Sequence, residues 1–153
     1  MAREVLFRAE DPSPVLERMA ELRDGSGWIV FDAFVAEDDI PPPAAFGGLF
    51  TAKGPAIPEL SWVPGAVGGR RREPLAVGIR HGAGPKVERR LAEAGVPVPE
   101  GWYVIQDNPR RGFVSQVPDT FTDAEVLDWL LRAAAVLATV PLGGDWRALI
   151  HFR

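Results

Sequence analysis

The chain has 153 residues, 46% of them hydrophobic and 25% charged, with no cysteine and a formal net charge of −4. A chain of this size buries roughly 70% of its unfolded surface around one core, so residues 1–153 are expected to form one globular domain without cross-links or metals. The missing cysteines exclude disulfides, zinc–thiolate sites and thiol nucleophiles, and they point to a reducing, cytoplasmic setting.

Glu4 to Arg8 alternates as a first strand, and Met1 to Phe7 holds no apolar core of leader length. Asp11-Pro12-Ser13-Pro14 supplies helix-start chemistry, with Ser13 as the expected cap and Pro14 in the first turn. Val15, Met19 and Leu22 make the buried stripe of this helix, which Gly25 and Gly27 end. Trp28 to Phe34 follows as an aromatic, β-branched strand.

Residues 36–69 are the least regular part, with Pro41-Pro42-Pro43 followed by Pro55, Pro58 and Pro64. Proline excludes a long helix there. Gly48 to Lys53 and Leu60 to Val63 fit short strands, which the prolines push toward sheet edges; the alternative is a long functional loop.

Leu75 to Arg80 reads as a strand and Pro85 to Ala94 as a second helix, with Val87, Leu91 and Ala94 inward and Gly95 as its stop. Trp102 to Asp107 and Gly112 to Val117 form a hairpin around Asn108-Pro109-Arg110-Arg111. Thr122 and Glu125 make a T-x-x-E capping box, with Phe121 and Val126 placed as a staple, so a third helix runs from Asp123 to about Thr139. Its apolar face is unusually broad, since Trp129, Ala133 and Val136 extend the stripe of Val126, Leu127, Leu130, Leu131, Ala134 and Leu137. Trp146 to Phe152 alternates as the last strand. The order predicts an α+β fold: a largely antiparallel sheet of about five to seven strands with three helices packed mainly on one face.

No run approaches the roughly 18 apolar residues of a membrane span. Arginine outnumbers lysine 15 to 2, a bias of GC-rich coding sequence. The net charge also hides a division. Arg70, Arg71, Arg72, Arg80, Lys86, Arg89, Arg90, Arg110 and Arg111 give residues 70–111 a net charge of +4, leaving −8 on the remainder. Such a distribution steers an anionic partner, although overall acidity opposes avid nonspecific binding to nucleic acid.

Chemistry-bearing motifs are sparse. Arg80-His81-Gly82-Ala83-Gly84-Pro85-Lys86 leads from a strand through glycines into a basic helix start, an arrangement that suits a phosphate or carboxylate. It lacks the Walker A spacing and the third glycine of a dinucleotide fingerprint, and Pro85 removes one backbone donor. Of the two histidines, His151 shares a strand face with Arg147, Leu149 and Arg153, which supply no carboxylate to orient its ring. No serine sits in a G-x-S-x-G elbow, and two histidines remote in sequence make a poor metal site. No catalytic residue, metal or cofactor is therefore assigned.

Three readings remain, in order. The first is a noncatalytic adaptor, chaperone-like or immunity-like domain that binds a protein partner or a second copy of itself, with Trp129, Ala133 and Val136 as its interface. The second is a binder of an anionic ligand or nucleic acid through the nine cations of residues 70–111, with Trp62, Trp102 or Tyr103 as stacking partners. An enzyme comes third.

Overall fold

Alternating apolar residues make strands and residues recurring every three to four make helices. In the computed structural model, which describes residues 2–35, 55–65, 67–68 and 71–153, the order is β1 (Ala2–Arg8), α1 (Ser13–Glu21), β2 (Gly27–Ala33), β3 (Glu59–Val63), β4 (Val67–Gly68), β5 (Arg71–Arg72), β6 (Leu75–Arg80), α2 (Val87–Glu93), β7 (Tyr103–Asn108), β8 (Gly112–Val117), α3 (Asp123–Leu137) and β9 (Asp145–Phe152). Seven strands form one antiparallel sheet in the order β1-β9-β2-β3-β6-β8-β7, and β4 and β5 pair as a separate ribbon. The fold is α+β. The strand expected over Gly48 to Lys53 lies outside the described residues.

Two units of the same design make up the sheet. β1 and β2 are parallel, joined by α1, with β9 inserted between them; β6 and β7 are parallel, joined by α2, with β8 inserted between them. Both crossovers step the same way along the sheet from strands that point the same way. The right-handed rule for such connections therefore puts α1 and α2 on one face. That face carries the core: Phe7, Ile29, Phe31, Leu60, Trp62, Val77, Ile79, Phe113, Trp146, Ala148 and Ile150 from the sheet meet Val15 and Met19 of α1, Leu91 of α2 and Leu127 and Leu130 of α3, all buried. Each buried Val, Leu, Ile, Phe or Met side chain among these contributes about 1.5–3 kcal/mol relative to exposure.

β3 is the fourth of the seven strands, not an edge strand. Pro58 and Pro64 flank Glu59–Val63 and remove no ladder donor from its interior, so Leu60 and Trp62 reach the core. Ser13 does not cap α1 either. Pro12 occupies the cap position without a side-chain bond, Ser13 is the first helical residue, and its hydroxyl donates to Asp11 Oδ1 at 2.6 Å.

The capping box of α3 is complete: Thr122 Oγ1 accepts from the Glu125 backbone N–H at 3.1 Å and Glu125 Oε1 accepts from the Thr122 N–H at 3.1 Å. At the β7–β8 turn, Gly112 has φ +93°, and a Cβ there would lie 2.6 Å from the Ile79 carbonyl oxygen. Only glycine lets the turn close against β6.

Candidate functional site

The broad face of α3 is covered by its own chain. Trp129 is 5% exposed and Ala133 is fully buried, while Val136 is half-buried against the core. The Trp129 ring packs against Trp102 at 4.8 Å and Phe113 at 6.0 Å between centroids, and its Nε1–H donates to the Pro97 carbonyl at 2.9 Å. An aromatic side chain packed against two other rings with its polar atom bonded is a core residue, so of the interface expected at Trp129, Ala133 and Val136 only Val136 is partly exposed.

The nine cations of residues 70–111 do not form one patch. Arg70 lies outside the described residues. Arg71 and Arg72 form β5, in the ribbon between the end of β3 and the start of β6. Arg80 ends β6, and six residues of strand span roughly 20 Å. The basic segment is thus divided between opposite ends of the sheet.

The second group does converge. β6, β7 and β2 all finish at one end of the sheet, where β8 begins and α2 starts. Gly112 packs against the backbone of Ile79 and Arg80, which brings Arg110 and Arg111 of the turn beside the end of β6. Asp107 of β7 accepts from the N–H groups of Val87 and Glu88 at 3.1 Å each, which pins the start of α2 to the same corner. Arg80, Lys86, Arg89, Arg90, Arg110 and Arg111 therefore surround one corner, and all six are exposed. An open hollow of about 420 Å³ there is lined by Lys86, Glu88, Arg89, Ala92 and Asp107.

Their charges are not equally free. Arg89 is paired with Glu93 at 3.1 Å and Arg80 with Glu59 at 3.7 Å, both solvent-exposed pairs of small net worth. Lys86, Arg90, Arg110 and Arg111 have no ion pair among the described residues. The Arg110 and Arg111 backbone N–H groups donate to Asn108 Oδ1 at 2.8 and 3.0 Å, which fixes the turn from which their side chains project.

The helix start itself holds no vacant anion cradle. Lys86 precedes α2 in the left-handed conformation (φ 60°, ψ 48°), which shortens the helix from the expected Pro85 to Val87. The two backbone donors that follow are taken by Asp107. The phosphate or carboxylate expected at Gly84 and Lys86 is replaced by the chain's own carboxylate. Sequence reading missed this partner because Asp107 lies about 20 residues away, on another element.

The two histidines differ in setting, and the Nε2 of His81 is buried without a hydrogen-bond partner among the described residues. His81 is 1% exposed, and its Nδ1 accepts from the Ala83 N–H at 3.1 Å, which leaves the proton on Nε2. Burial holds this imidazole below its ordinary range; Asp107 opposes that shift and Arg90 adds to it. His151 stacks on Trp28 of the neighbouring strand at 5.1 Å and 11°, and the Arg153 guanidinium carbon lies 6.0 Å from the Trp28 ring centroid. Neither ring is oriented by a carboxylate hydrogen bond, and the described residues contain no group of three or more metal-binding side chains.

Of the aromatic residues expected to stack on bases, Trp62 is 1% exposed and Trp102 9%. Tyr103 is exposed, but it starts β7 and so stands at the opposite end of that strand from Arg110 and Arg111. No helix among the described residues is long and apolar enough to cross a membrane. No protein-family model, curated protein or solved structure matches the chain.

Proposed function

We propose that the chain is a noncatalytic protein-binding domain that engages an acidic surface of its partner through the corner formed by the end of β6, the β7–β8 turn and the start of α2. The observation that carries this reading is the convergence of Lys86, Arg90, Arg110 and Arg111, exposed and without ion pairs among the described residues, on elements fixed by Asp107 and Gly112. Cations presented by a rigid scaffold lose less freedom on binding than cations on a loose tail, and complementary charge raises the association rate.

A protein partner fits the corner better than a nucleic acid. Glu59, Glu88, Glu93 and Asp107 are interspersed with the cations, and a polyphosphate backbone is repelled by each. The stacking surfaces that single-stranded nucleic acid needs are buried or at the far end of the sheet. A folded acidic partner, by contrast, can match mixed charge residue by residue.

The test is a pull-down from the native cell with the wild-type chain and the R110E/R111E variant in parallel, read by mass spectrometry. The expected result is an acidic protein that the wild type retains and the variant loses. Equal recovery of every protein by both chains would overturn the assignment of this corner.

A further inference from the structure

The opposite flank of the sheet ends in β1, whose outer edge pairs with no strand among the described residues. An unpaired edge is a template for another strand unless charge, proline or a bulge blunts it. β7, the other edge, carries a register shift between Val104 and Gln106. β1 pairs with β9 over seven residues without a shift, and it displays Leu6 at 58% exposure. Beside it Phe34 is 47% exposed, and Leu6, Phe7, Arg8, Phe34, Asp145 and Trp146 line a hollow of about 360 Å³.

We infer that β1 is a dimerisation strand whose partner is β1 of a second copy of this chain, antiparallel about a two-fold axis at Leu6. The sequence Arg3-Glu4-Val5-Leu6-Phe7-Arg8-Ala9 is self-complementary in that register alone. Leu6 meets the partner's Leu6, Val5 meets the partner's Phe7, and Glu4 meets the partner's Arg8. Directly opposed apolar and opposite-charge pairs are the units that stabilise antiparallel strands. The neighbouring registers conflict: centring on Glu4 opposes two carboxylates, centring on Val5 sets Glu4 against Leu6, and centring on Phe7 sets Glu4 against Glu10.

Side-chain parity agrees with this register. Phe7 faces the helix-covered side and Leu6 the other, so the two apolar pairs extend both faces of the sheet across the axis. Arg8 contacts Glu10 through Nε at 2.6 Å and Asp145 through Nη1 at 2.8 Å. Glu4 is held only by Arg147 at 3.6 Å, with its side chain about half exposed. The pairing joins two isologous edges, closes the contact after two copies, and covers the remaining edge that could propagate. Because one strand pair is small for a protein interface, the dimer is expected to be weak and concentration-dependent.

Sedimentation velocity across a wide concentration range tests this, with intact folding of each variant checked by circular dichroism. The wild type should shift with concentration from the 16.6 kDa chain toward twice that mass. Leu6→Lys, placed where the side chain is mostly exposed, should remain monomeric throughout. E4K and R8E should each be monomeric alone, since each sets like charges opposite one another, and should form a heterodimer when mixed, because both charge pairs are then restored. A monomeric wild type at every concentration, an L6K chain that still dimerises, or a mixture that stays monomeric would overturn the inference. Should R8E fail to fold, amide exchange of β1 in the wild type decides: protection that grows with protein concentration is expected, and concentration-independent exchange contradicts it.

Discussion

The two flanks of the sheet differ in how their side chains are held. At the β7 flank the backbone that carries the cations is tied to other parts of the chain: Asp107 caps α2, Asn108 closes the hairpin turn, and the Trp129 indole bonds Pro97, while Lys86, Arg90, Arg110 and Arg111 are exposed without ion pairs among the described residues. At the β1 flank a strand edge, Leu6 and Phe34 face outward, and Arg8, Glu10 and Asp145 make only exposed ion pairs. Internal bonds make the first flank a rigid support for cations that bind elsewhere. The second flank is held by Arg147, which bonds Asp32 at 2.6 and 2.9 Å and reaches Glu4 at 3.6 Å, but the outer edge of β1 has no ladder partner among the described residues.

That contrast predicts where substitutions hurt. Trp129→Ala should have the largest effect, about 3–5 kcal/mol of unfolding free energy in urea titration, because it opens a cavity among Trp102, Phe113 and α3 and strands the Pro97 carbonyl. A loss below about 1 kcal/mol would mean that the aromatic cluster is not the support described.

Asp107→Ala comes next. It removes the acceptor of two N–H groups at the start of α2, and loss of a helix cap costs about 0.5–2 kcal/mol. It should also loosen the presentation of Lys86, Arg89 and Arg90, seen as faster amide exchange at Val87 and Glu88. Asp107→Asn, which keeps an acceptor, should recover part of the loss.

His81 gives the β7 flank a pH dependence. Its folded value lies below the ordinary imidazole range, so the unfolded chain takes up a proton that the folded chain refuses. Stability is then full above about pH 6.5 and falls as the pH drops from there toward the lower folded value. Urea midpoints measured between pH 5 and 7.5 should show this decline, and His81→Asn, which retains an acceptor for the Ala83 N–H, should flatten it. An unchanged slope in the variant would assign the decline to other groups.

The smallest stability effect is expected from R110E/R111E. Both side chains are exposed and unpaired among the described residues, and surface changes of this kind stay within about 0.5 kcal/mol. Thermal melts of the variant and wild type should nearly superimpose, which separates partner loss from unfolding.

What the sequence revealed follows from how local each signal is. The capping box of α3 is legible because Thr122 and Glu125 act within one turn, and the β7–β8 hairpin because Asn108 and Gly112 sit inside it. The breadth of the apolar face on α3 is equally plain, but the sequence does not say that Trp102 and Phe113 cover it. Proline spacing misled for β3, since Pro58 and Pro64 bracket a central strand. The Asp107 cap depends on the β6–α2–β7 crossover, and only topology reveals that β5 with Arg72 lies before the start of β6 and Arg80 at its end.

The central proposal is that one corner of the sheet recognises an acidic protein surface, and fluorescence anisotropy with the labelled acidic protein recovered in the pull-down tests it most directly. The account predicts binding to the wild type that weakens steeply as salt rises from low to physiological strength, and its loss in R110E/R111E. Equal binding by both chains, or tighter binding of labelled single-stranded DNA or RNA than of that protein by the wild type, would contradict it.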